Sequence, residues 1–267
     1  MCSIITKYIS AKKKVGFYMF SLNDGLLVYL FGNGEPVNVT VFYITYVSFI
    51  LISMISAYFL GSINSAIITS KLLYHDDIRK HGSGNPGLTN MFRTYGKGGA
   101  GLTLLGDVMK NALAIFIAGV LFGFNYVGGI SDSDGYCYMA GLFAIVGHMF
   151  PAYYGFKGGK GVLSTATVAL ILAPIPFAIL FAIFAGIVAI SKYVSLGSVS
   201  AAILLPVVIN AYFRIALSAQ TPGIISLCTI IIAILIVWCH RGNLQRISDR
   251  TERKISFKKK KTDESEE

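Results

Sequence analysis

The amino-acid sequence predicts an all-α polytopic membrane protein with seven transmembrane helices, and three observations support this prediction. Of the 267 residues, 54% are hydrophobic and only 13% are charged, about half the roughly 25% found in soluble domains. The apolar residues form long continuous runs, unlike the short alternating strands of a membrane barrel. The four cysteines lack the spacing of a disulfide framework or a metal site. A disordered chain is excluded because it could not keep so many apolar residues solvated.

The predicted spans follow from the length of each apolar run, since crossing the hydrocarbon core takes about 20 residues. The run at residues 162–190 is too long for one ordinary span and contains Pro174 and Pro176 near its middle. Because proline breaks a helix, we divide this run with a tight turn at residues 173–176. The seven predicted spans are residues 41–60 (continuing towards 73), 102–124, 137–154, the two halves of 162–190, 194–212 and 222–239.

The distribution of basic residues supports this division. Loops that alternate to one side are basic, namely residues 74–101, 155–161, 192 and the segment from 241. The opposite loops carry a single basic residue, Arg214. Cytoplasmic loops are enriched in lysine and arginine, so we expect the basic side to face the cytoplasm. The net charge of +10 is therefore interpreted as a topology signal and not as a nucleic-acid-binding surface.

Three segments are predicted along the chain. Residues 1–40 form an N-terminal extension whose lysines, at positions 7 and 12–14, would lie on the wrong side of the membrane. Three interpretations would each explain the position of these lysines. Residues 15–31 could form an extra hydrophobic segment, the stretch could lie at the membrane interface, or it could be an upstream start outside the working protein. Residues 41–255 form the membrane domain. Residues 256–267 form a charged tail expected to lie near anionic headgroups.

Polar residues are few and cluster on the predicted cytoplasmic side. The first cluster is HGSGNPGLTNMFRTYGK, residues 81–97. Its glycines allow close approach of a ligand to the backbone, and Arg93 offers a two-pronged cation suited to phosphate. The alternative is a flexible polar loop between spans. The segment is not a Walker loop, because no Gly-Lys-Ser/Thr follows at the required spacing.

The second cluster is GFKGGKG, residues 155–161, where Lys157 and Lys160 flank two glycines at the start of a predicted helix. Helix N-terminal amides and lysines attract anions, although a short turn with topology-determining lysines would look the same. Two such loops on one face favour a substrate that carries phosphate groups.

Further polar residues lie at the ends of other spans. Ser195 and Ser198 are three residues apart and would share a helix face, as would His240 and Asn243. Small residues at helix contacts and an interfacial histidine are the simpler interpretations. Within the second and third spans, we expect Asp107 and Lys110 to pair and His148 to be a satisfied core histidine.

Taken together, the motifs resemble the acyl-phosphate glycerol-3-phosphate acyltransferase family of bacterial phospholipid synthesis. The matching strings, over about residues 50–255, are YFLGSINSAIITSKL (58–72), DIRKHGSGNPGLTNMFRTYGK (77–97), GHMFPAYYGFKGGKG (147–161), YVSLGS (193–198) and HRGNLQRI with a following TE (240–252). The resemblance implies seven helices, an active site facing the cytoplasm, and transfer of a fatty acyl group from acyl phosphate to the 1-hydroxyl of sn-glycerol 3-phosphate. Lysophosphatidic acid and phosphate would be the products.

The resemblance also implies the site residues. Those matching phosphate-binding positions are Ser83, Thr89, Asn90, Arg93, Gly158, Gly159 and Lys160, and those matching catalytic positions are Ser198, His240, Asn243 and Glu252. Ser195 is the alternative to Ser198 in that short serine pair. No cofactor, metal or nucleic acid is expected. The expected partners are the two substrates, the lipid bilayer of a bacterial-type plasma membrane, and an enzyme that produces acyl phosphate.

A membrane transporter for phosphate or an organic anion is the alternative function. Transporters place their binding residues near the bilayer midplane and are commonly built from related halves. Here the polar clusters lie at one face, and no repeat is evident in the sequence.

Overall fold

The computed structural model describes residues 25–31, 38–123 and 132–255, and in these ranges the regular secondary structure is entirely helical. This finding confirms the all-α prediction. The described α-helices, numbered in chain order, are α1 (Gly25–Phe31), α2 (Val39–Ser62), α3 (Ser65–Tyr74), α4 (Leu88–Phe122), α5 (Asp132–Met149), α6 (Val162–Leu172), α7 (Pro174–Ser191), α8 (Val194–Ala211), α9 (Gly223–Cys239) and α10 (Arg241–Ser248).

Several of these helices are long and apolar enough to cross a membrane. Four segments meet this criterion among the described residues: Val39–Tyr74, Leu88–Phe122, Pro174–Ser191 and Val194–Ala216. A fifth is added if α9 and α10, which are bent by 51° at His240, count as one span. The chain is therefore built as a multi-pass membrane protein. The number of seven spans remains a prediction.

One helix break lies where the sequence predicts it, and a second lies within a run that the sequence analysis left undivided. The predicted division of residues 162–190 is confirmed: α6 ends at Leu172, and Ala173 leaves the helical region before Pro174 opens α7. Proline is well suited to this position, because the first helical residue needs no amide donor. A second break, between α2 and α3, separates the run that the sequence analysis extended to residue 73. There Asn64 caps α3 by accepting a hydrogen bond from the amide of Ile67.

The bundle is organised around α5, which packs against α2, α4, α6 and α9. Small residues allow α2 and α5 to approach closely. A methyl group on Gly61 would lie 2.1 Å from the carbonyl oxygen of Ala144, and one on Gly147 would lie 2.2 Å from that of Tyr58. Membrane helices commonly use glycine in this way, since lipid offers no hydrophobic drive for their association.

Three connecting segments and the end of the described chain meet at one end of the bundle. They are the first loop (residues 81–87), the second loop (residues 155–161), the start of α8, and the α9–α10 junction with residues 251–255. A main-chain hydrogen bond from Ile255 to the carbonyl of Lys192 joins the last of these to the turn before α8. This end of the bundle holds the candidate site.

The whole of the predicted charged tail, residues 256–267, lies outside the described residues, as do residues 1–24 and 32–37 of the predicted N-terminal extension. The predicted hydrophobic segment over residues 15–31 is described only from Gly25. There α1 packs on the end of α4, and a methyl group on Gly25 would lie 2.2 Å from the amide nitrogen of Gly123.

Candidate active site

A cavity of about 590 Å³ opens where the loops meet, and it has a polar end and an apolar wall. The apolar wall consists of side chains from α6, α7 and α8, including Leu163, Ala166, Phe177, Leu180, Phe181, Phe184, Ala202 and Leu205. Most residues that the sequence analysis singled out line the polar end, namely Ser83, Thr89, Asn90, Arg93, Lys160, Ser195, Ser198, His240, Asn243 and Glu252. Folding therefore brings together side chains that are separated by up to 169 positions in the sequence.

The first loop is shaped by the buried side chain of Asn90. Its amide group donates to the carbonyls of Ile78 and His81, and its oxygen accepts from the amide of Ser83. Gly82 has a φ of 59°, and a methyl group there would lie 2.1 Å from the Asn90 oxygen. Asn90 is thus fully used in holding the loop, and it leaves the more exposed Ser83 and Arg93 to face the cavity.

Arg93 lies one turn into α4 and is exposed. Within the described part of the chain, no hydrogen bond or ion pair occupies its guanidinium group. A free guanidinium can bind two oxygens of a phosphate at once. Thr89 lines the cavity beside it, in the first turn of the same helix, where unpaired amides favour anions.

The second loop is held against the end of α5 by main-chain hydrogen bonds. The amide of Gly158 donates to the carbonyl of Met149, and that of Gly159 donates to the carbonyl of His148. These two amides, which the sequence analysis expected to bind phosphate, are therefore already used within the protein. The glycines instead allow the loop to approach α5, which leaves Lys160 and the first amides of α6 facing the cavity.

Lys160 takes part in a network that joins the second loop to α8 and α10. Its ammonium group donates to the side-chain oxygen of Asn243. The Asn243 amide donates to Ser195 Oγ at 3.0 Å and to Glu252 Oε1 at 2.6 Å, and the Ser195 hydroxyl donates to the same carboxylate oxygen at 2.6 Å. Arg246 completes the network with an ion pair of 2.8 Å to Glu252.

The network alters the acidity of its two charged members. Burial lowers the pKa of the Lys160 ammonium group, and the Glu252 carboxylate opposes this effect. Burial would raise the pKa of Glu252, but hydrogen bonds from Ser195, Asn243 and Arg246 outweigh it, and the pKa lies below its usual range. Glu252 is therefore a carboxylate at neutral pH, and its lone pairs are engaged by three donors.

His240 lies at the bend between α9 and α10 and is almost completely buried. Its Nδ1 lies 2.8 Å from the carbonyl oxygen of Ile236. Because a carbonyl can only accept, Nδ1 carries the proton, and the neutral ring keeps its lone pair on Nε2. His240 can thus accept a hydrogen bond from a hydroxyl group in the cavity.

The two serines differ in their contacts. Ser195 joins the network, whereas the Ser198 hydroxyl donates to the carbonyl of Val194 within its own helix. Both line the cavity, as their spacing predicts. The sequence analysis did not assign Asp107, His148 or Arg246 to the site, yet these residues also line the cavity. The sequence signal that pointed to this region was the pair Asp107 and Lys110 within an apolar span, where charged side chains are costly and are commonly functional.

No group of three histidine, cysteine, aspartate or glutamate side chains among the described residues is arranged to hold a metal ion. The site instead combines neutral donors and cations at one end with apolar side chains at the other. Such a cavity suits an anionic head joined to a hydrocarbon chain.

Comparisons with known proteins give a consistent result. Residues 51–250 match the family model for glycerol-3-phosphate acyltransferase. A glycerol-3-phosphate acyltransferase from Halalkalibacterium halodurans is 40% identical over 218 residues, covering 78% of this chain and 97% of that protein. One from Syntrophomonas wolfei is 39% identical over 205 residues, covering 77% of this chain and 96% of that protein.

Two similar solved structures are crystal structures of PlsY, an integral membrane glycerol 3-phosphate acyltransferase. The glycerol 3-phosphate form is 32% identical with a TM-score of 0.66, over 78% of this chain and 96% of that one. The lysophosphatidic acid form is 31% identical with a TM-score of 0.64, over 78% and 95% respectively.

Proposed function

The chain belongs to the glycerol-3-phosphate acyltransferase family and acylates glycerol 3-phosphate, and from this premise we propose that its acyl donor is an acyl phosphate. The acceptor would be the 1-hydroxyl of sn-glycerol 3-phosphate, and the products would be lysophosphatidic acid and inorganic phosphate. The transporter alternative is not favoured, because the family, the relatives and the similar structures are all acyltransferases.

The observation that carries the proposal is the composition of the cavity. Its polar end presents Arg93, in the helix that follows the first loop, and Lys160, in the second loop. These two cations are suited to two phosphate groups. Its apolar wall, from α6 to α8, offers a place for a fatty acyl chain. A donor that carries both an acyl chain and a phosphate matches this combination.

In the proposed reaction the glycerol oxygen attacks the acyl carbonyl carbon. A new C–O ester bond forms, the bond between that carbon and the phosphate oxygen breaks, and the hydroxyl proton passes to a phosphate group. Phosphate is a good leaving group, so no covalent acyl-enzyme is required. Catalysis would then rest on positioning the two substrates and on neutralising phosphate charge.

We assign roles to the cavity residues on this basis. Arg93, Ser83 and Thr89 would bind one phosphate, and Lys160 with the N-terminal amides of α6 would bind the other. His240 would accept a hydrogen bond from a glycerol hydroxyl through Nε2. Asn243 would orient the substrate, while Glu252 would hold Asn243 and one serine in place. Asn90, Gly158 and Gly159 would support the loops.

The membrane arrangement follows the same proposal. Residues 41–255 would form the acyltransferase domain with seven spans, with the active site at the cytoplasmic face of a bacterial-type plasma membrane. The support is the basic character of the loops that reach the cavity, including Arg93, Lys157 and Lys160. At this face an enzyme that makes acyl phosphate would supply the donor.

The donor is tested with purified protein and labelled glycerol 3-phosphate. We expect lysophosphatidic acid to form from palmitoyl phosphate and not from palmitoyl-CoA or an acyl carrier protein thioester. Activity with thioesters alone would leave the chain an acyltransferase but contradict the donor and the leaving-group argument. A stable acyl adduct on the protein, detected by mass spectrometry, would contradict direct transfer.

Alanine substitutions at the two serines test which one belongs to the site. We expect Ser195→Ala to lower kcat/KM by about ten- to hundredfold, because it removes hydrogen bonds to a carboxylate and to Asn243. Ser198→Ala removes a bond within a helix, so a loss below about tenfold is expected. Steady-state kinetics on both variants decide the assignment, and the opposite order of losses would transfer the role to Ser198.

A further inference from the structure

A cluster of ionisable side chains lies buried between the helices, directly behind the two loops. Lys110 Nζ is 2.8 Å from Asp107 Oδ1 and 2.9 Å from His148 Nδ1. The Asp107, Lys110 and His148 side chains are 2%, 4% and 4% exposed. The expected Asp107–Lys110 pair is thus confirmed. Burying charges costs free energy even when they are paired, so a packing role alone does not explain why polar groups are used here.

The cluster contacts the second loop through His148. The His148 carbonyl accepts the Gly159 amide, and a methyl group on Gly159 would lie 2.1 Å from the imidazole Nε2. The imidazole therefore forms the surface on which the glycine before Lys160 rests. Its orientation is fixed, because the Lys110 ammonium can only donate, which makes Nδ1 the acceptor and puts the ring proton on Nε2.

The cluster also reaches the first loop, through the break between α2 and α3. Lys110 Nζ donates to the carbonyl of Ile63 at 2.7 Å. The next residue, Asn64, donates from its side chain to the carbonyl of Pro86 in the first loop. One ammonium group thus connects to the second loop, which carries Lys160, through His148, and to the first loop, which leads into the helix of Arg93, through Ile63 and Asn64.

We infer that Lys110, held by Asp107 and acting through His148 and Ile63, positions the two phosphate-binding loops relative to each other. These are positioning residues: they set where Lys160 and Arg93 stand, and the reaction needs both at once. The inference rests on the proposed function, in which each loop binds one phosphate. Misplacing a reacting group by about 1 Å costs on the order of a hundredfold in rate, so a small shift of either loop is enough to matter.

The contact between His148 and Gly159 gives the sharpest test. Gly159→Ala should lower kcat/KM by about a hundredfold, because the methyl group displaces the loop from the imidazole. His148→Asn keeps an acceptor for Lys110 but empties the space beside Gly159. Combining the two substitutions lets the methyl group occupy that space, and we expect the double variant to be about tenfold more active than Gly159→Ala alone.

A charge-balanced change tests Lys110. Asp107→Asn with Lys110→Met removes both charges, so neither is left buried and unpaired. We expect KM for glycerol 3-phosphate and for palmitoyl phosphate to rise by about tenfold each. The matched control is Asn210→Ala, which breaks a contact between Asn210 and Ser226 away from the cavity and should leave both KM values unchanged. Thermal unfolding is measured for every variant.

The outcomes separate the inference from the proposed function. If the wild-type protein makes no lysophosphatidic acid from palmitoyl phosphate, the proposed function fails. If the wild type is active and the Gly159 and His148 effects simply multiply, or Gly159→Ala keeps the kcat/KM of the wild type, the positioning inference is wrong. If the variant that combines Asp107→Asn with Lys110→Met does not fold, the inference is tested by the kinetics of Gly159→Ala, His148→Asn and their double variant.

Discussion

Replacing Lys160 by methionine is expected to lower kcat/KM for glycerol 3-phosphate acylation by about a hundred- to a thousandfold. Methionine keeps much of the length of the lysine side chain but removes the half-buried ammonium group that bonds Asn243 and faces the cavity. The loss should exceed that of a surface cation, because charge interactions are stronger away from water. Steady-state kinetics with palmitoyl phosphate and labelled glycerol 3-phosphate measure it.

Lys157→Met is the matched control. Lys157 lies in the same loop and has the same charge, but it is exposed and does not line the cavity. We expect its kcat/KM to stay close to that of the wild type. Equal losses in the two variants would indicate that the loop contributes only a general positive potential and would contradict a specific role for Lys160.

The pH dependence of KM gives an independent readout of Lys160. Burial lowers the pKa of this group from the ordinary 10.5, so its ammonium form is lost earlier than usual as the pH rises. Phosphate affinity is therefore present below that pKa and declines as the pH increases through it. In Lys160→Arg the guanidinium stays charged at any accessible pH, and the alkaline rise in KM should disappear. If KM still rises at alkaline pH in Lys160→Arg, another group is responsible for that rise.

Replacing Arg93 by alanine is expected to cost a similar factor, about a hundred- to a thousandfold in kcat/KM. The guanidinium faces the cavity, and no described side chain competes for it, so the whole of its hydrogen-bonding capacity is available to a phosphate. Arg93→Lys should recover only part of the activity, since an ammonium group keeps the charge but loses the two-pronged geometry.

Two comparisons make the Arg93 result specific. Arg214→Ala removes an exposed arginine that does not line the cavity, and its kinetics should match those of the wild type. Raising the salt concentration should weaken substrate binding in Arg93→Lys more than in the wild type, because a single point charge is screened more readily than a paired hydrogen-bonded contact. Full activity in Arg93→Ala would remove this residue from the site.

The sequence carried most of the information about the fold. Long apolar runs are the direct consequence of a hydrocarbon environment, and Pro174 marked the break between α6 and α7 because proline cannot continue a helix from the preceding turn. The break at Ile63 and Asn64 was not predicted, although Gly61, Ser62, Asn64 and Ser65 interrupt the apolar run there. It became visible only where Asn64 caps α3 and reaches Pro86.

The chemistry of the site could also be predicted from the sequence, but its geometry could not. Glycines next to cations indicated anion binding, yet the amides of Gly158 and Gly159 turned out to be used by main-chain carbonyls. Spacing could not distinguish Ser195 from Ser198, since both fall on one helix face. The distinction depends on Glu252, which returns to α8 from 57 residues further along the chain.

Three properties of this protein could be predicted without its structure: its membrane character, its helical class and the kinds of side chain available to bind a phosphate. These follow from composition and local periodicity, which do not depend on the rest of the fold. The contacts of Lys110 with the end of α2 and with His148 are visible only in the folded protein, because they join residues 47 and 38 positions apart. Local physics sets which residues can be buried or exposed, whereas packing of the helices sets which buried polar groups become partners.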